Sequence, residues 1–584
     1  MSLTPDRDLT MLLRIFLTAL VLAFPVQAQK ALQPEDTTAI AQRQSVHAQH
    51  IMVATANPLA TQTGLAVLAA GGTAADAAVA IQMMLNLVEP QSSGLGGGAF
   101  ALYWNAKTGE LTSWDGRETA PLAATQDYWL GPDGQPLPWP KAVVGGRSVG
   151  VPGTLKLLQT LHDRFGQTAW ADLLAPTIET AQTGFEISPR LAAAIQSAVS
   201  FNLTTSALAR ALFLSGDSTP LPAGHILKNP AFAATLRAIA TNGPDELYTG
   251  PLAAEIISAT RTEVNSGILT AEDFADYQVK QRPPVCAAYR VWQVCGMGPP
   301  SSGALTVGQI LGLLQPFDLG QTGPDAKAYH LLAEASKLAF ADRGLYMADS
   351  DFVPMPKGLL NTAYLAERSG LIDPAQAMVT AAPGTPPWDQ AQLWSPDTQP
   401  EKPGTSHFVV VDAAGNMISM TTTIETGFGS GLMAGGFLLN NELTDFSLAP
   451  SKDGRPIANR VEGGKRPRSS MAPTIVLRDG KPVLLIGSPG GSRIIGFVAQ
   501  ALIAMLDWNI DPQQAIDLGH IVNRGGDTEI EEGSDAALFA VALEQTGHTV
   551  KVRNMNSGLN VIRIDQTGLT GGTDKRREGL VLGD

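Results

Sequence analysis

The stretch GTSHFVVVDAAGNMISMTTTIE, residues 404–425, decides how the chain is read. HFVVVD and MISMTTTIE are two β-rich runs, and the turn-forming AAGN between them predicts a hairpin. The 24 residues before it, 381–404 (AAPGTPPWDQAQLWSPDTQPEKPG), hold six prolines and show neither helical nor strand period. They read as a linker or an exposed loop. The last third of the chain therefore begins abruptly at a strand, and at that junction stands Gly404-Thr405-Ser406-His407. An internal threonine hydroxyl is a poor nucleophile. A cut after Gly404 would give Thr405 a free α-amine beside its hydroxyl, and that amine can serve as general base. Glycine before the cut tolerates the strained backbone such chemistry needs. On spacing alone, an ordinary loop-to-strand junction is the plainer reading.

Outward from this point the pattern is mixed α/β. Leu59 to Ala70 reads as a helix stopped by Gly71-Gly72. Thr73 caps the next helix, AADAAVAIQMMLNL, with Asp76 as its capping-box partner. Helical patterns recur at LKLLQTLHDRF, AFAATLRAIA and Ala328 to Arg343, with a strand at AFALYW. KPVLLIG reads as a buried strand, SPGGS as a tight loop and RIIGFVAQALIAML as a helix. No repeat period is visible.

Two glycine-rich stretches need weighing. Gly94 to Ala99 matches a loose dinucleotide loop but follows a predicted helix, the wrong context, so it reads as a close backbone approach in the core. Gly487 to Ser492 lies between strand and helix, where exposed N–H groups can hold an anion or a developing oxyanion. The Walker and GxSxG patterns both fail there, so any nucleophile must come from elsewhere. A purely structural turn fits this loop equally well.

The 584 residues predict about three to five domains by length alone. The net charge of −14 is a poor footprint for nucleic acid. With 59 Gly and 40 Pro but no low-complexity run, many tight turns are expected. Arg14, the apolar run Ile15 to Val26 and the small residues ending at Ala28 form a secretory signal, residues 1–28, too short to span a bilayer. The mature chain is expected to be periplasmic or secreted, without a membrane anchor. Cys286 and Cys295 fall in the two arms of a predicted hairpin, where either a bridge or two buried thiols would fit. Neither CxxC nor HExxH occurs, so no metal and no cofactor is expected.

Thr405-Ser406-His407, Lys465 to Val476 (KRPRSSMAPTIV) and Gly487 to Ile495 (GSPGGSRII) resemble the small-subunit signatures of the gamma-glutamyltransferases. Val88 to Phe100, Asp115 to Pro121 (DGRETAP), Gly298 to Leu305 and Ala339 to Asp349 agree with the large-subunit part, in colinear order over essentially the whole mature chain. The resemblance implies an N-terminal nucleophile hydrolase, a four-layer αββα sandwich made as one precursor. Self-cleavage between Gly404 and Thr405 would give a large subunit, 29–404, and a small catalytic subunit, 405–584, that share one fold.

The resemblance also implies roles. Thr405 is the nucleophile, and Thr423 hydrogen-bonds to it and assists maturation. Gly490 and Gly491 supply the oxyanion hole. Arg117, with Ser469 and Ser470, holds a substrate α-carboxylate, and Glu442 and Asp445 hold its α-ammonium. The partners implied are a small γ-glutamyl donor such as glutathione, an amino-acid or peptide acceptor, and the chain's own two subunits. Two departures stand out. Glu425 occupies a position where many members carry Asn, so a third carboxylate enters the ammonium pocket. The lid segment after Phe446, SLAPSKDGRPIANRVEGG, is short by family standards and has no aromatic residue. A glutaryl-type acylase is the nearest rival, although glutaryl lacks the ammonium that the retained acids would bind. A catalytically silent paralogue is the other, although Thr405 and the Gly-Gly loop are intact.

Overall fold

Alternation along Thr405–Val411 builds the centre of the molecule. Phe408 and Val410 point into one apolar core and Val409 and Val411 into another, as successive strand side chains must. The hairpin forms as the sequence predicts. Thr405–Val411 pairs antiparallel with Met417–Thr423, and Asp412 closes the turn by accepting from the Ala414 and Asn416 N–H groups. Gly415 takes the left-handed conformation that the turn requires (φ 81°). The computed structural model describes residues 42–320, 323–388, 393–397, 399 and 404–584.

Two seven-stranded antiparallel sheets carry the fold. The first runs in the order Leu580–Gly583, Met52–Thr55, Thr405–Val411, Met417–Thr423, Gly98–Asn105, Glu110–Gly116, Lys280–Arg282. The second runs Val46–Ala48, Gly568–Thr573, Asn560–Asp565, Lys481–Gly487, Thr474–Arg478, Trp292–Gly296, Val285–Tyr289. Their facing sides share one apolar core, in which Met52, Leu102, Val409 and Val411 meet Ile475, Leu485 and Ile562. The outer face of the first sheet packs on helices that include Ala74–Val88 and Thr154–Phe165. The outer face of the second packs on Gly303–Leu314, Ala326–Tyr346 and Ile494–Leu506. The result is the expected αββα sandwich, closed on both faces by helices.

The hairpin Thr405–Thr423 lies mid-sheet between Met52–Thr55 and Gly98–Asn105, strands drawn from the N-terminal part of the chain. The described residues on either side of Gly404 therefore share both sheets in one compact unit, not the three to five domains that length predicts. The capping box of Thr73 and Asp76 is present as read. Cys286 and Cys295 face each other across the edge hairpin and are bridged. The expected signal, residues 1–28, lies outside the described residues. Among the described residues no helix is long and apolar enough to cross a membrane.

The proline-rich segment corrects the sequence reading. Part of it is not an exposed linker, since Trp394, Ser395 and Asp397 are buried, although Leu393 beside them is exposed. Ser395 pairs with Ile457, and the Asp397 carboxylate accepts from Arg468 and Asn459. Proline content removed the strand period, yet the segment is tied down by individual polar contacts that no period reveals. The glycine run from Gly94 is the close approach expected of it. A Cβ on Gly96 would lie 2.1 Å from Leu438 O, and one on Gly97 would lie 1.9 Å from Thr423 O.

Candidate active site

Strand register delivers the first part of the site. Thr405 and Thr423 are paired partners at the end of the hairpin, and both side chains face the gap between the sheets. Ser406, pointing the other way, donates to Glu89 at the end of the Ala74–Val88 helix, and Glu89 is itself paired with Arg190. Arg577 donates to the Thr405 carbonyl at 3.1 Å. The nucleophile candidate is thus fixed from both sides of its strand. Thr423 Oγ1 donates to the Gly404 carbonyl at 2.7 Å and accepts from the Glu425 N–H at 2.8 Å. Only glycine fits at 404, because a Cβ there would lie 2.0 Å from Glu425 O.

A cavity opens at this strand end, lined by Arg117, Thr405, Thr423, Glu425, Glu442, Asp445, Ser469, Ser470 and Gly491, with Met471 and Ile494. Side chains separated by more than 300 positions in the chain therefore meet in one place. Of the expected residues, Gly490 does not line the cavity itself. It precedes Gly491 at the start of the Gly491–Arg493 turn and the Ile494–Leu506 helix, with φ of 137° and 58° for the two glycines. Main-chain N–H groups at such a start lack helix partners and suit a developing oxyanion. Gly404 lies buried beneath Glu425 and Thr426.

Arg117, which the resemblance assigns to a substrate α-carboxylate, is already engaged by the protein's own groups. Its guanidinium is fully buried and already donates to Glu442, to Asp445 at 2.6 Å, and to the Pro467 and Arg468 carbonyls. Burial works against its charge, but Glu442, Asp445 and Glu118 outweigh that and hold it above its ordinary range. Glu442 is also raised, which for a carboxyl favours the neutral form. Burial raises its carboxyl well above the usual range, Arg117 offsets part of this, and Glu118 and Glu425 add to it. Glu425 takes a left-handed backbone (φ 76°) and accepts from Asn441 at 2.5 Å. That conformation suits Asn better than Glu. His407, two residues after Thr405, is fully buried beside Thr421, and burial pushes it down to about 3, so it stays neutral.

Several supporting residues escaped the sequence reading. Ser470 accepts from Arg343, which also donates to Ser302. Asp397 holds Arg468, whose carbonyl braces Arg117. Glu118 follows Arg117 directly and is fully buried. Arg343 and Glu118 stand inside motifs already singled out, and a charged residue in an otherwise apolar or turn motif was the available signal. Apart from this site, His330, Glu334 and His548 place ligand atoms within 4.8 Å of one another. Their hydrogen bonds already close on one another, on Thr528, on the Asp373 carbonyl and on the Lys337 ammonium. A cation there would have to displace that ammonium and the His–His hydrogen bond.

A family model described as Gamma-glutamyltranspeptidase matches residues 60–583. The glutathione hydrolase proenzyme of Bacillus subtilis (strain 168) is 37% identical, over 98% of this chain and 98% of its own. That of Escherichia coli (strain K12) is 36% identical over 91% of each. Among solved structures, a cephalosporin acylase from Bacillus halodurans superposes with a TM-score of 0.81 at 28% identity, covering 96% of this chain and 99% of its own.

Proposed function

The chain belongs to the gamma-glutamyltranspeptidase family and is an enzyme of the glutathione hydrolase and γ-glutamyltransferase type, and on that premise we propose how its residues do the work. The observation that carries the reading is the single cavity where Thr405, a guanidinium, carboxylates and two serine hydroxyls converge. A γ-glutamyl donor presents a carboxylate, an ammonium and, three carbons away, the carbonyl to be attacked.

Maturation comes first. Thr405 Oγ attacks the Gly404 carbonyl carbon while the Thr423 hydroxyl, already on that oxygen, stabilises the developing charge. The acyl group passes from nitrogen to oxygen, and water hydrolyses the ester. This releases a large subunit, 29–404, and a small subunit, 405–584, that begins with the free α-amine of Thr405. In turnover that amine takes the hydroxyl proton as Thr405 Oγ attacks the donor's γ-carbonyl. The Gly490 and Gly491 N–H groups hold the oxyanion. The amine product leaves with the proton, and water, an amino acid or a peptide then resolves the γ-glutamyl ester.

Donor recognition is an exchange of partners. The α-carboxylate takes N–H groups of Arg117 with the Ser469 and Ser470 hydroxyls. The α-ammonium takes Glu442, Asp445 and Glu425. Glutathione or its conjugates are the proposed donors, handled after export through the residue 1–28 signal into the periplasm or medium.

Intact mass and N-terminal sequencing test the reading. Two fragments are expected, the smaller starting Thr405-Ser406-His407, and Thr405→Ala should stay whole and inactive. A processed, active Thr405→Ala would sink the proposal. The acylase neighbour supports a second reading, deacylation of glutaryl amides. Side-by-side assays with γ-glutamyl and glutaryl anilides decide between them, and the first is expected to be the faster substrate.

A further inference from the structure

Ser469 and Ser470 are the two hydroxyls given to the donor's α-carboxylate, and the groups behind them decide which way those hydroxyls point. A hydroxyl has one hydrogen to give and lone pairs to accept with, so its neighbours determine whether it greets an anion or a cation. Ser469 Oγ accepts from the Met471 N–H at 3.1 Å, and Ser470 Oγ accepts from Arg343 Nη2 at 2.7 Å. Both neighbours can only donate. Each hydroxyl hydrogen is therefore turned away from its neighbour, and both side chains line the cavity.

Arg343 is built into its place. It stands in the last turn of the Ala326–Tyr346 helix, where a cation is favoured, and only 5% of it is exposed. The Phe340 ring, one turn earlier, lies 5.6 Å from the guanidinium carbon. Its Nε–H donates to Ser302 Oγ at 2.8 Å while Nη2 holds Ser470, so one planar edge spans two hydroxyls. Ser302 is pinned in turn. Its N–H and its hydroxyl both donate to the Ser469 carbonyl at 2.7 Å, and Ser301 Oγ donates to the Met471 carbonyl at 2.6 Å. Arg343 and the Ser301–Ser302 turn thus grip the Ser469–Met471 segment together.

We propose that Arg343 is a positioning residue for donor recognition: by occupying the Ser470 oxygen, it makes that hydroxyl a donor aimed at the α-carboxylate. The proposal rests on reading the cavity as the site for an α-amino acid. The bond from Arg343 also polarises the Ser470 O–H, which strengthens the bond that the hydroxyl gives to the anion. Arg117 meets the carboxylate itself, whereas Arg343 acts through Ser470. The α-carboxylate keeps its charge while Thr405 attacks the far end of the donor's side chain. Its binding is the same in ground and transition states, so weakening it raises KM and leaves kcat nearly unchanged.

The test is a double-mutant cycle on the processed enzyme, read as KM and kcat for hydrolysis of a γ-glutamyl anilide. Arg343→Met should raise KM at least about tenfold, the scale of a hydrogen bond to a charged group, with kcat within about threefold. In a Ser470→Ala background the same change should add less than about twofold, because the hydroxyl it works through is gone. No rise in KM, or an equal rise in both backgrounds, overturns the inference; the second outcome is what a purely structural Arg343 would give. If Arg343→Met fails to process, Arg343→Lys takes its place in the cycle. A single ammonium cannot span Ser302 and Ser470 together, so KM should still rise at least about threefold, again only where Ser470 is present. An unchanged KM in Arg343→Lys would overturn the role of the fork. Wild-type enzyme that hydrolyses no γ-glutamyl anilide overturns the reading of the cavity, whereas an active wild type whose KM ignores Arg343 overturns only the role of Arg343.

Discussion

Replacing Thr423 by valine keeps the β-branched shape and removes one oxygen. That oxygen has two partners, the Gly404 carbonyl at 2.7 Å and the Glu425 N–H at 2.8 Å. The two losses have different consequences. The Gly404 oxygen gains negative charge as Thr405 attacks, and removing one donor from a developing oxyanion costs about 3–4 kcal/mol, or roughly 10²–10³ in rate. The Glu425 N–H loses its bond to Thr423 Oγ1, which costs about 1–3 kcal/mol of stability and does not by itself slow cleavage. Thr423→Val should therefore fold with a lowered Tm and cut itself roughly 10²–10³ times more slowly than the parent. Thr423→Ser keeps both hydrogen bonds and should process at close to the parental rate. Fresh precursor followed by intact mass over time, together with a melting curve, separates the two effects. Parental cleavage by Thr423→Val would refute the reasoning, as would equal slowing in Thr423→Ser.

Three further outcomes follow from the same coordinates. Gly404→Ala drives a Cβ to 2.0 Å from Glu425 O and 2.6 Å from the Thr426 carbonyl carbon, an overpacking of about 1–3 kcal/mol. The scissile bond should shift and cleavage slow at least about tenfold, so a normal time course would count against the packing. Cys286→Ser with Cys295→Ser opens a bridge with a sequence separation of nine on the outer edge of the second sheet. Urea unfolding should show a loss of about 2–3 kcal/mol with hydrolysis unaffected, and an unchanged midpoint would remove the bridge from the stability argument. His407 is neutral in the fold, with its pKa lowered from 6.5 to about 3 by burial, whereas the unfolded chain binds that proton below about 6.5. Its contribution to stability is complete above about 6.5 and drains away as pH falls, by up to about 1.4 kcal/mol per unit. His407→Gln should lower the pH slope of unfolding between about pH 6.5 and 4.5 by close to one proton, and an identical slope would contradict a neutral His407.

How much was legible depended on the range of the interaction. Local periodicity sufficed for the hairpin after Gly404, for the Thr73–Asp76 cap and for the long helices, because each is fixed by neighbours in sequence. It failed at residues 381–404, where Ser395 and Asp397 are held by partners some 60 positions away. The motif resemblance gathered nearly all the residues that line the cavity, yet it could not show what those residues do to one another. The hydrogen bonds of Arg117 to Glu442 and to Asp445 are contacts across more than 300 positions. They exist only once the strand end, the Glu442–Asp445 turn and the Pro467–Ser470 segment have been brought together.

The internal pairing of Arg117 bears directly on the choice between γ-glutamyl and glutaryl donors. An empty site that already satisfies its guanidinium with Glu442 and Asp445 can release those donors cheaply only to a ligand that replaces both halves of the pairing. A γ-glutamyl group does so, because its carboxylate meets Arg117 while its ammonium meets the two acids. A glutaryl group brings only the anion. It would leave Glu442 and Asp445 buried without their cation, and stripping one partner from a buried ion pair costs about 3–5 kcal/mol, or roughly two to three orders of magnitude in affinity. The site could escape that penalty only by taking up a proton, so residual glutaryl binding should strengthen as pH falls. A glutaryl anilide whose KM improves toward alkaline pH would show that the acids are not what selects the donor.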